Sequence, residues 1–533
     1  MCVNRRNYPG LCNNKSWRAS LYKRQFMRCV FSFSLLFLFQ AALIQAQDIS
    51  AKVLDFHTRQ PVSFATVQYA PGKGVVTNEE GNFSIYGKLS EKDTLLISSI
   101  GYETLKVNSQ VHNGKDILLK PSAIELENVF LTNKNLTPEE IIQKVKENVE
   151  SNYNFDLAHK KFFFRESNVN NVGRFDLIVD KSTFPDLDQA LMTQISQKVP
   201  RYSDSYKEIL GDFYGNYKDQ KLQVIKAANL HNPQSTEGLT ELVDKLENIF
   251  KENIKSNSFL KIKTGIIGVK LDAEELEFES SEEKKKKEEK ETPEDIEKSR
   301  EERKKNLQNS ANSKIKSLLG DTFWKSNNTM DVLENSRKYR FRTEGFLQLG
   351  NEIVYVINFE PKRGATFKGK IYVNTFDYGV HRLEFQNVKT LNSFRLFGIS
   401  TSKDVYRGKM IFSKDNNGKY NPGYLEIEEG ESFGLHRPLK IIEKNKFVKG
   451  RRKQNELDLK IKINSGQLTK HQLVIYEDSP IDQAFFNELD SSTSFEYETF
   501  KVYNPEYWKG HNIIEPNAAI KAFTALEVEE TAF

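Results

Sequence analysis

The sequence predicts a mainly β protein with an α+β region: an N-terminal β-sandwich, then helices, then a C-terminal antiparallel β-meander. A half-barrel is one form such a meander takes. Three observations predict this. Short β-rich runs between Ile49 and Val107 are punctuated by turn residues. A helix-start signal at Thr137-Pro138-Glu139-Glu140 is followed by an apolar stripe. From Lys338 to Asn464, successive runs alternate apolar and polar residues. Turn signals every 8–12 residues favour a sandwich, a 3.6-residue period favours a helix, and a period of two favours a sheet with one wet face.

Residues 1–46 read as a leader. They hold seven of the 78 Lys and Arg residues and no Asp or Glu. Lys23, Arg24 and Arg28 precede the apolar run Cys29–Phe39, and Ala46 precedes Gln47-Asp48, the pattern of a secretory signal cleaved near Ala46. Met27 to Ala46 is itself a compact signal peptide, so Met27 is an alternative start. The apolar run is shorter than the roughly 20 residues a membrane span needs. Cys29 precedes that run, which misplaces it for a lipoprotein signal. Beyond the leader, 71 basic residues face 73 acidic ones, so the formal charge of +5 becomes −2. No bulk field then favours nucleic acid. Cys2, Cys12 and Cys29 are the only cysteines, so the chain after residue 46 has no thiol or disulfide chemistry.

The sandwich is expected over 47–121. Val62 to Tyr69 reads as a strand with both faces apolar. Asn78-Glu79-Glu80-Gly81 reads as a hairpin turn between Val75–Thr77 and Phe83–Ile85. Thr94 to Ser99 is a further strand ended by Gly101, and Gly114 to Lys120 the last. Ile124 to Thr132 reads as a connector or an added strand.

These residues resemble the carboxypeptidase-regulatory-like domain, a transthyretin-like sandwich. The resemblance rests on Val53-Leu54-Asp55, on Pro61-Val62 with Ala65 and Val67, on Thr77-Asn78 with Gly81-Asn82-Phe83, and on Ser98 with Gly101-Tyr102. Ala51 departs from the glycine usual in the first strand. The resemblance implies a domain that displays and connects rather than one that catalyses. It also implies an exported protein of Bacteroidota type, in the periplasm or at the outer membrane.

An α+β region is expected over 122–273. Thr137 offers an N-cap hydroxyl, Pro138 the first helical position and Glu140 a capping-box partner, so a helix is expected to Asn152. Lys160–Ser167 and Phe175–Lys181 read as two strands about a turn at Asn170-Asn171-Val172-Gly173. Leu239, Leu242, Val243, Leu246, Ile249 and Phe250 mark a second amphipathic helix, and Ile262 to Leu271 another strand. Residues 274–316, with Glu282 to Glu291 all charged, read as a solvated insertion, part helix.

The meander is expected over 317–480, with turns at Gly350-Asn351, Asp377-Tyr378-Gly379 and Asn416-Asn417-Gly418. Its pattern, with Phe367-x-Gly369-x-Ile371-Tyr372-Val373, resembles the curved half-barrel of periplasmic lipoprotein carriers. The C-terminal extension, 481–533, begins with a short helix from Asp482 to Leu489. The end, Glu527 to Phe533, puts Glu527, Glu529 and Thr531 on the face of Phe533, the wrong pattern for the closing strand of a membrane barrel.

Candidate chemistry is sparse. His381-x-x-Glu384, with His511 further on, has the spacing of a zinc carboxypeptidase, but in a strand i and i+3 face opposite sides. No catalytic, metal or cofactor-binding residue is therefore assigned, and no cofactor is expected. Asn78 to Gly81 lacks the oxygen-ligand ladder of a calcium loop. Tyr153, Phe155, Phe162, Phe163, Phe164, Phe175, Tyr214 and Tyr217 could line a glycan or lipid groove, although a packed core is the simpler use. The expected function is non-catalytic binding or envelope assembly with a lipid, glycan or protein partner, no nucleic acid and no transmembrane span after the leader. The alternative is a peptide or glycan hydrolase using His381 and Glu384.

Overall fold

The computed structural model describes residues 49–87, 93–108, 114–122, 136–232, 237–273, 292–320, 322–326, 328–362, 364–415, 417–450, 453–490 and 495–523. The leader, Ile124–Thr132, the run from Glu274 to Glu291 and the terminal Glu527–Phe533 pattern lie outside them.

The N-terminal unit is a sandwich of two small sheets. Strands β1 (Ile49–Asp55), β4 (Asn82–Ile85) and β7 (Asp116–Leu119) form one, with β1 antiparallel to β4 and parallel to β7. Strands β2 (Thr66–Ala70), β3 (Lys73–Val76), β5 (Thr94–Ser98) and β6 (Leu105–Asn108) form the other. Val53, Phe83, Ile85, Ile117 and Leu119 meet Val67, Val75, Leu95, Ile97 and Val107 between them. The run from Val62 is not one strand. Phe64 has φ +57°, so β2 begins only at Thr66, although Val62, Phe64 and Ala65 are all buried. The turn at Asn78 forms, but it is not the expected hairpin, because it carries the chain from β3 in one sheet to β4 in the other: Asn78 Oδ1 accepts from the amides of Glu80 and Asn82, and Gly81 has φ +79°. A Cβ at Gly81 would sit 2.5 Å from the Val53 carbonyl oxygen, so only glycine fits there.

Helix α1 (Pro138–Glu147) carries the complete Thr137/Glu140 capping box, breaks at Asn148 and resumes as the single turn α2 (Val149–Asn152). A 25-residue strand follows, β8 (Ala158–Ser182), where two strands were expected. Gly173 does not turn the chain. The partners on the facing strand step from Arg174 to Val172, so Gly173 is absorbed as a bulge in one continuous ladder. Next come α3 (Gln189–Lys198), β9 (Tyr202–Gly215), β10 (Gln220–Leu230) and the expected amphipathic α4 (Glu237–Asn253). Ile262 to Leu271 is a hairpin rather than one strand: β11 (Ser258–Thr264) turns at Gly265, φ +63°, into β12 (Ile267–Asp272).

A 28-residue helix, α5 (Pro293–Gly320), leads to the meander. Its strands are β13 (Tyr339–Leu349), β14 (Glu352–Pro361), β15 (Phe367–Asn374), β16 (Val380–Asn387), β17 (Asn392–Leu396), β18 (Ile399–Lys414), β19 (Tyr420–Asn445) and β20 (Lys453–Pro480). The turns at Gly350, Tyr378 and Gly418 all have positive φ, as hairpin corners require. Helix α6 (Gln483–Glu488), capped by Asp482, strand β21 (Glu498–Phe500), a 3₁₀ turn at Pro505–Trp508 and α7 (Ala518–Lys521) complete the described chain.

The large sheet runs β13-β14-β15-β16-β18-β19-β20-β8-β9-β10-β21, antiparallel except for the last pair, with no ladder joining β13 to β21, so it is open. Strands β8 to β10 therefore share one sheet with the meander that follows α5. Both faces are covered. Helices α1 and α5 pack Ile141, Ile142, Val145, Ile315 and Leu318 on one face. The sandwich and the C-terminal residues Trp508, Ile513, Ile514 and Ile520 cover the other. Phe162, Phe163 and Phe164 show the consequence: the outer two enter the first core and the middle one enters the second. A third core lies under α3 and α4 towards the far end of the long strands. No described helix is long and apolar enough to cross a membrane.

Candidate functional site

Three clusters of contacts, beside the β3–β20 pairing of Lys73 with Glu477 and the Glu79–Lys470 ion pair, hold the sandwich against the large sheet. Phe64 lies 4.7 Å from the Tyr424 ring, with the Lys409 ammonium 3.7 Å from its own centroid. The Gly101 amide donates to the Gln348 carbonyl at 2.9 Å, and Ser122 Oγ donates to Gln348 Oε1 at 2.7 Å. The third attachment is a strap, residues 505–523. Asn78 Nδ2 donates to the carbonyls of Glu515 and Pro516, the Tyr86 amide to Asn512 Oδ1, and the Ala518 amide to Glu80. The strap is pinned to the sheet by a buried ion pair. Arg165 Nε donates to Glu208 Oε1 at 2.6 Å, Arg165 Nη2 to the Ile514 carbonyl at 2.9 Å, and Trp508 Nε1 to Glu208 Oε2 at 2.9 Å.

Between these attachments lies a cleft of about 540 Å³. Phe64, Leu96, Ile100 and Ile411 give it an apolar wall. The large sheet is bulged on three strands where it borders the cleft. His381 is the extra residue on β16, Gly423 on β19 and Tyr476 on β20, and all three line the cleft. Bulges re-aim side chains and concentrate beside functional sites. Four lining side chains also carry a buried polar atom with no protein partner: Thr104 Oγ1, His381 Nδ1, Asn421 Oδ1 and Tyr476 OH. An unpartnered buried polar atom costs about 1–3 kcal/mol, so four among the residues lining one cleft, Thr104 from the sandwich and three from the large sheet, are a concentrated expense.

The charged groups of the wall are, in contrast, paired. Lys73 meets Glu477 at 3.3 Å, Lys160 meets Asp478, and Arg382 meets Glu384. Asp415 accepts from the amides of Asn417 and Lys419. Lys414 bridges Glu352 and Asp377, the latter at 2.7 Å. His381 Nε2 lies 2.9 Å from Glu352 Oε2 and 3.3 Å from the Tyr420 hydroxyl, which donates to Asp377 Oδ1 at 3.0 Å. Because that hydroxyl proton is committed to Asp377, Nε2 carries the proton shared with Glu352. Burial opposes ionisation of Glu352, yet the His381 hydrogen bond and Lys414 outweigh it and bring its carboxyl down to about 2. Burial, then the nearby Asp377 and Glu352, hold the Tyr420 phenol far above its usual range. Gly379 permits this packing, since a Cβ there would sit 2.2 Å from the Tyr420 ring.

The bulge puts His381 out of phase with the alternation expected through Val380–Val388. Its ring joins Glu352 and Tyr420 instead of Leu383 and Phe385, while Glu384 turns to Arg382 and Lys409. His511 lies in the strap, its amide bonded to the Trp508 carbonyl. Among the described residues no group of three His, Cys, Asp or Glu side chains is placed to hold a metal ion. At the Asn78 turn, Glu79 pairs with Lys470. The aromatic set lines no single groove. Tyr153, Phe162 and Phe164 are core, Phe163 faces the sandwich, Phe175 joins the third core, Tyr214 stacks on His159, and Phe155 and Tyr217 pack with Trp324. Sequence reasoning missed Thr104, Glu352, Lys414, Asn421 and Tyr476. No local signal marks them, because each matters only through neighbours distant in the chain.

Residues 49–131 match the model of the CarboxypepD_reg-like domain family. No curated protein matches the chain. Two solved structures are similar in part. One is a LolA superfamily protein from Nitrosomonas europaea, at 10% identity and TM-score 0.16, covering 65% of this chain and 94% of that one. The other is the MucA/MucB complex of Pseudomonas aeruginosa, at 6% identity and TM-score 0.14, covering 65% and 99%. At these TM-scores neither likeness bears on function.

Proposed function

We propose that this chain is an exported, non-catalytic binding protein of a Bacteroidota-type cell envelope, and that its cleft takes an uncharged, hydroxyl-rich ligand of the glycan class. The carrying observation is the contrast along the cleft wall: the charged side chains have ionic or hydrogen-bonding partners, and Thr104, Asn421 and Tyr476 carry uncharged polar atoms without one. Asn421 Oδ1 only accepts, and the hydroxyls of Thr104 and Tyr476 both donate and accept. Sugar hydroxyls satisfy such a set, while the apolar wall suits a sugar's CH face. An acyl chain would leave the same atoms unsatisfied. The sandwich then acts as one jaw of the site as well as a display module. The leader pattern supports export, with Ala46 as the last residue removed.

The test is titration calorimetry of the chain without its first 46 residues against a panel of neutral oligosaccharides, with fatty acids and peptides as the other arms. Tyr476→Phe and Thr104→Val should leave stability unchanged or slightly higher, because each deletes an unpartnered group, and should weaken oligosaccharide binding about tenfold. A chain that binds fatty acids or peptides but no oligosaccharide, or equal affinity in both variants, would sink the reading.

A further inference from the structure

The long strands carry a second feature, on an edge away from the cleft. Strand β19 is flanked there by two hairpins that approach tip to tip. β17–β18 occupies Ile399–Leu435 pairing and below, and β11–β12 takes over at Lys263–Lys440. Both tips lean on Arg437: a Cβ at Gly398 would sit 3.1 Å from its Cγ, and one at Gly265 3.1 Å from its Nη2. At the end of β19 the chain turns again through Phe447 and Val448, whose amides are held by Asn445 Oδ1.

These three tips expose what globular surfaces usually hide. Ile266 is 84% exposed and Phe447 78%, and Ile267, Val269, Phe394, Leu396, Phe397 and Val448 are exposed with them. Phe397 is also strained. It is the first residue of a two-residue turn with φ +47°, a position that favours Asn, Asp or Gly. A bulky aromatic held in that conformation and pointed at solvent serves neither folding nor solubility. Cations are interleaved with the apolar tips. Lys263, Arg395, Lys444 and Lys449 have no carboxylate partner among the described residues, whereas Asp272 at this edge already meets Lys270 and Lys446.

We infer that this edge docks on an anionic lipid bilayer, the hairpin tips entering the interface and the lysines and arginine meeting lipid phosphates. Exposed apolar side chains at these turns, with cations that have no carboxylate partner among the described residues on the same segments, match an anionic lipid surface.

The experiment is vesicle cosedimentation of the chain without its first 46 residues, using vesicles of pure phosphatidylcholine and of equal parts phosphatidylcholine and phosphatidylglycerol. Binding to the anionic vesicles only, weakening as salt rises, is expected. The triple variant Ile266→Ser, Phe397→Asn, Phe447→Ser should bind about tenfold more weakly, as should Arg395→Glu with Lys449→Glu. The triple variant should melt no earlier than the parent, because asparagine suits the Phe397 turn. Equal binding to both vesicle types, binding to neither, or undiminished binding by the triple variant overturns the inference. So does a dimer in light scattering that the triple variant abolishes, which would assign the edge to a second copy of this chain.

Discussion

Replacing Glu208 by glutamine should cost far more than the loss of an ordinary ion pair, and the damage should appear in a part of the chain remote in sequence. Arg165 and Glu208 have side chains 2% and 0% exposed. Removing one partner of such a pair leaves the other charge buried and uncompensated, which typically costs 3–5 kcal/mol. Two contacts temper this. Arg165 Nη2 keeps the Ile514 carbonyl, and the glutamine oxygen can still accept from Trp508 Nε1. The expected loss is therefore about 3 kcal/mol, the lower end of that range. Because the pair pins the strap and the strap holds the sandwich, the opening should be local. Hydrogen exchange should accelerate in residues 505–523 and around Asn78 to Tyr86, while α1 and α5 stay protected. The double variant Arg165→Met, Glu208→Leu should recover only part of the loss: no charge is stranded, but the Trp508 indole N–H and the Ile514 carbonyl lose their partners. Urea denaturation and exchange mass spectrometry measure both effects. A loss below about 1 kcal/mol, the range of an exposed pair, or exchange that rises uniformly, would refute the idea that one buried pair positions the sandwich.

Three further outcomes follow from the His381 network. Gly379→Ala drives a methyl into the buried Tyr420 ring and should destabilise by about 3 kcal/mol, the upper end for overpacking, in thermal melts; an unchanged melt would mean the turn simply moves aside. Glu352 ionises more readily folded, at about 2, than at its ordinary 4.5. Its contribution is thus complete above pH 4.5 and is lost as pH falls through 2, worth about 1 kcal/mol after allowing for solvent screening of a side chain 34% exposed. Glu352→Gln should flatten the stability profile in that window, and an unaltered acid limb counts against the pairing. His381→Ala should lower stability by about 1–2 kcal/mol through the lost hydrogen bonds, with no zinc to release. Elemental analysis finding one zinc per chain, lost in both His381→Ala and Glu384→Ala, would restore the hydrolase reading.

What was legible in the sequence was whatever local physics decides. Thr137 and Glu140 announce a helix start because a capping box is complete within four residues. The corners at Gly350 and Gly418 are readable because positive φ selects their residues. Expectation failed where a partner strand overrode a local signal. Asn170-Asn171-Val172-Gly173 has turn composition, yet β20 runs unbroken alongside it, and keeping that ladder outweighs the local preference. Thr264-Gly265 failed in reverse: one glycine in an otherwise regular run was enough for a hairpin.

The cleft was illegible for a stronger reason. Its defining groups are residues that violate the pattern by which strands are read. Period-two alternation assigns each side chain a face only while the register holds. At His381, Gly423 and Tyr476 the register slips by one residue, so alternation misplaces the side chains that matter most. The same slip explains why His381-x-x-Glu384 misleads both ways. The motif suggests convergence and regular alternation suggests opposed faces, whereas the bulge gives His381 to Glu352 and leaves Glu384 with Arg382. A bulge is fixed by the pairing of two strands, and β16 and β20 find their partners through a sheet assembled from both sides of α5. The site therefore exists only once β8 to β10 have joined β13 to β20 and the strap has closed the sandwich over them.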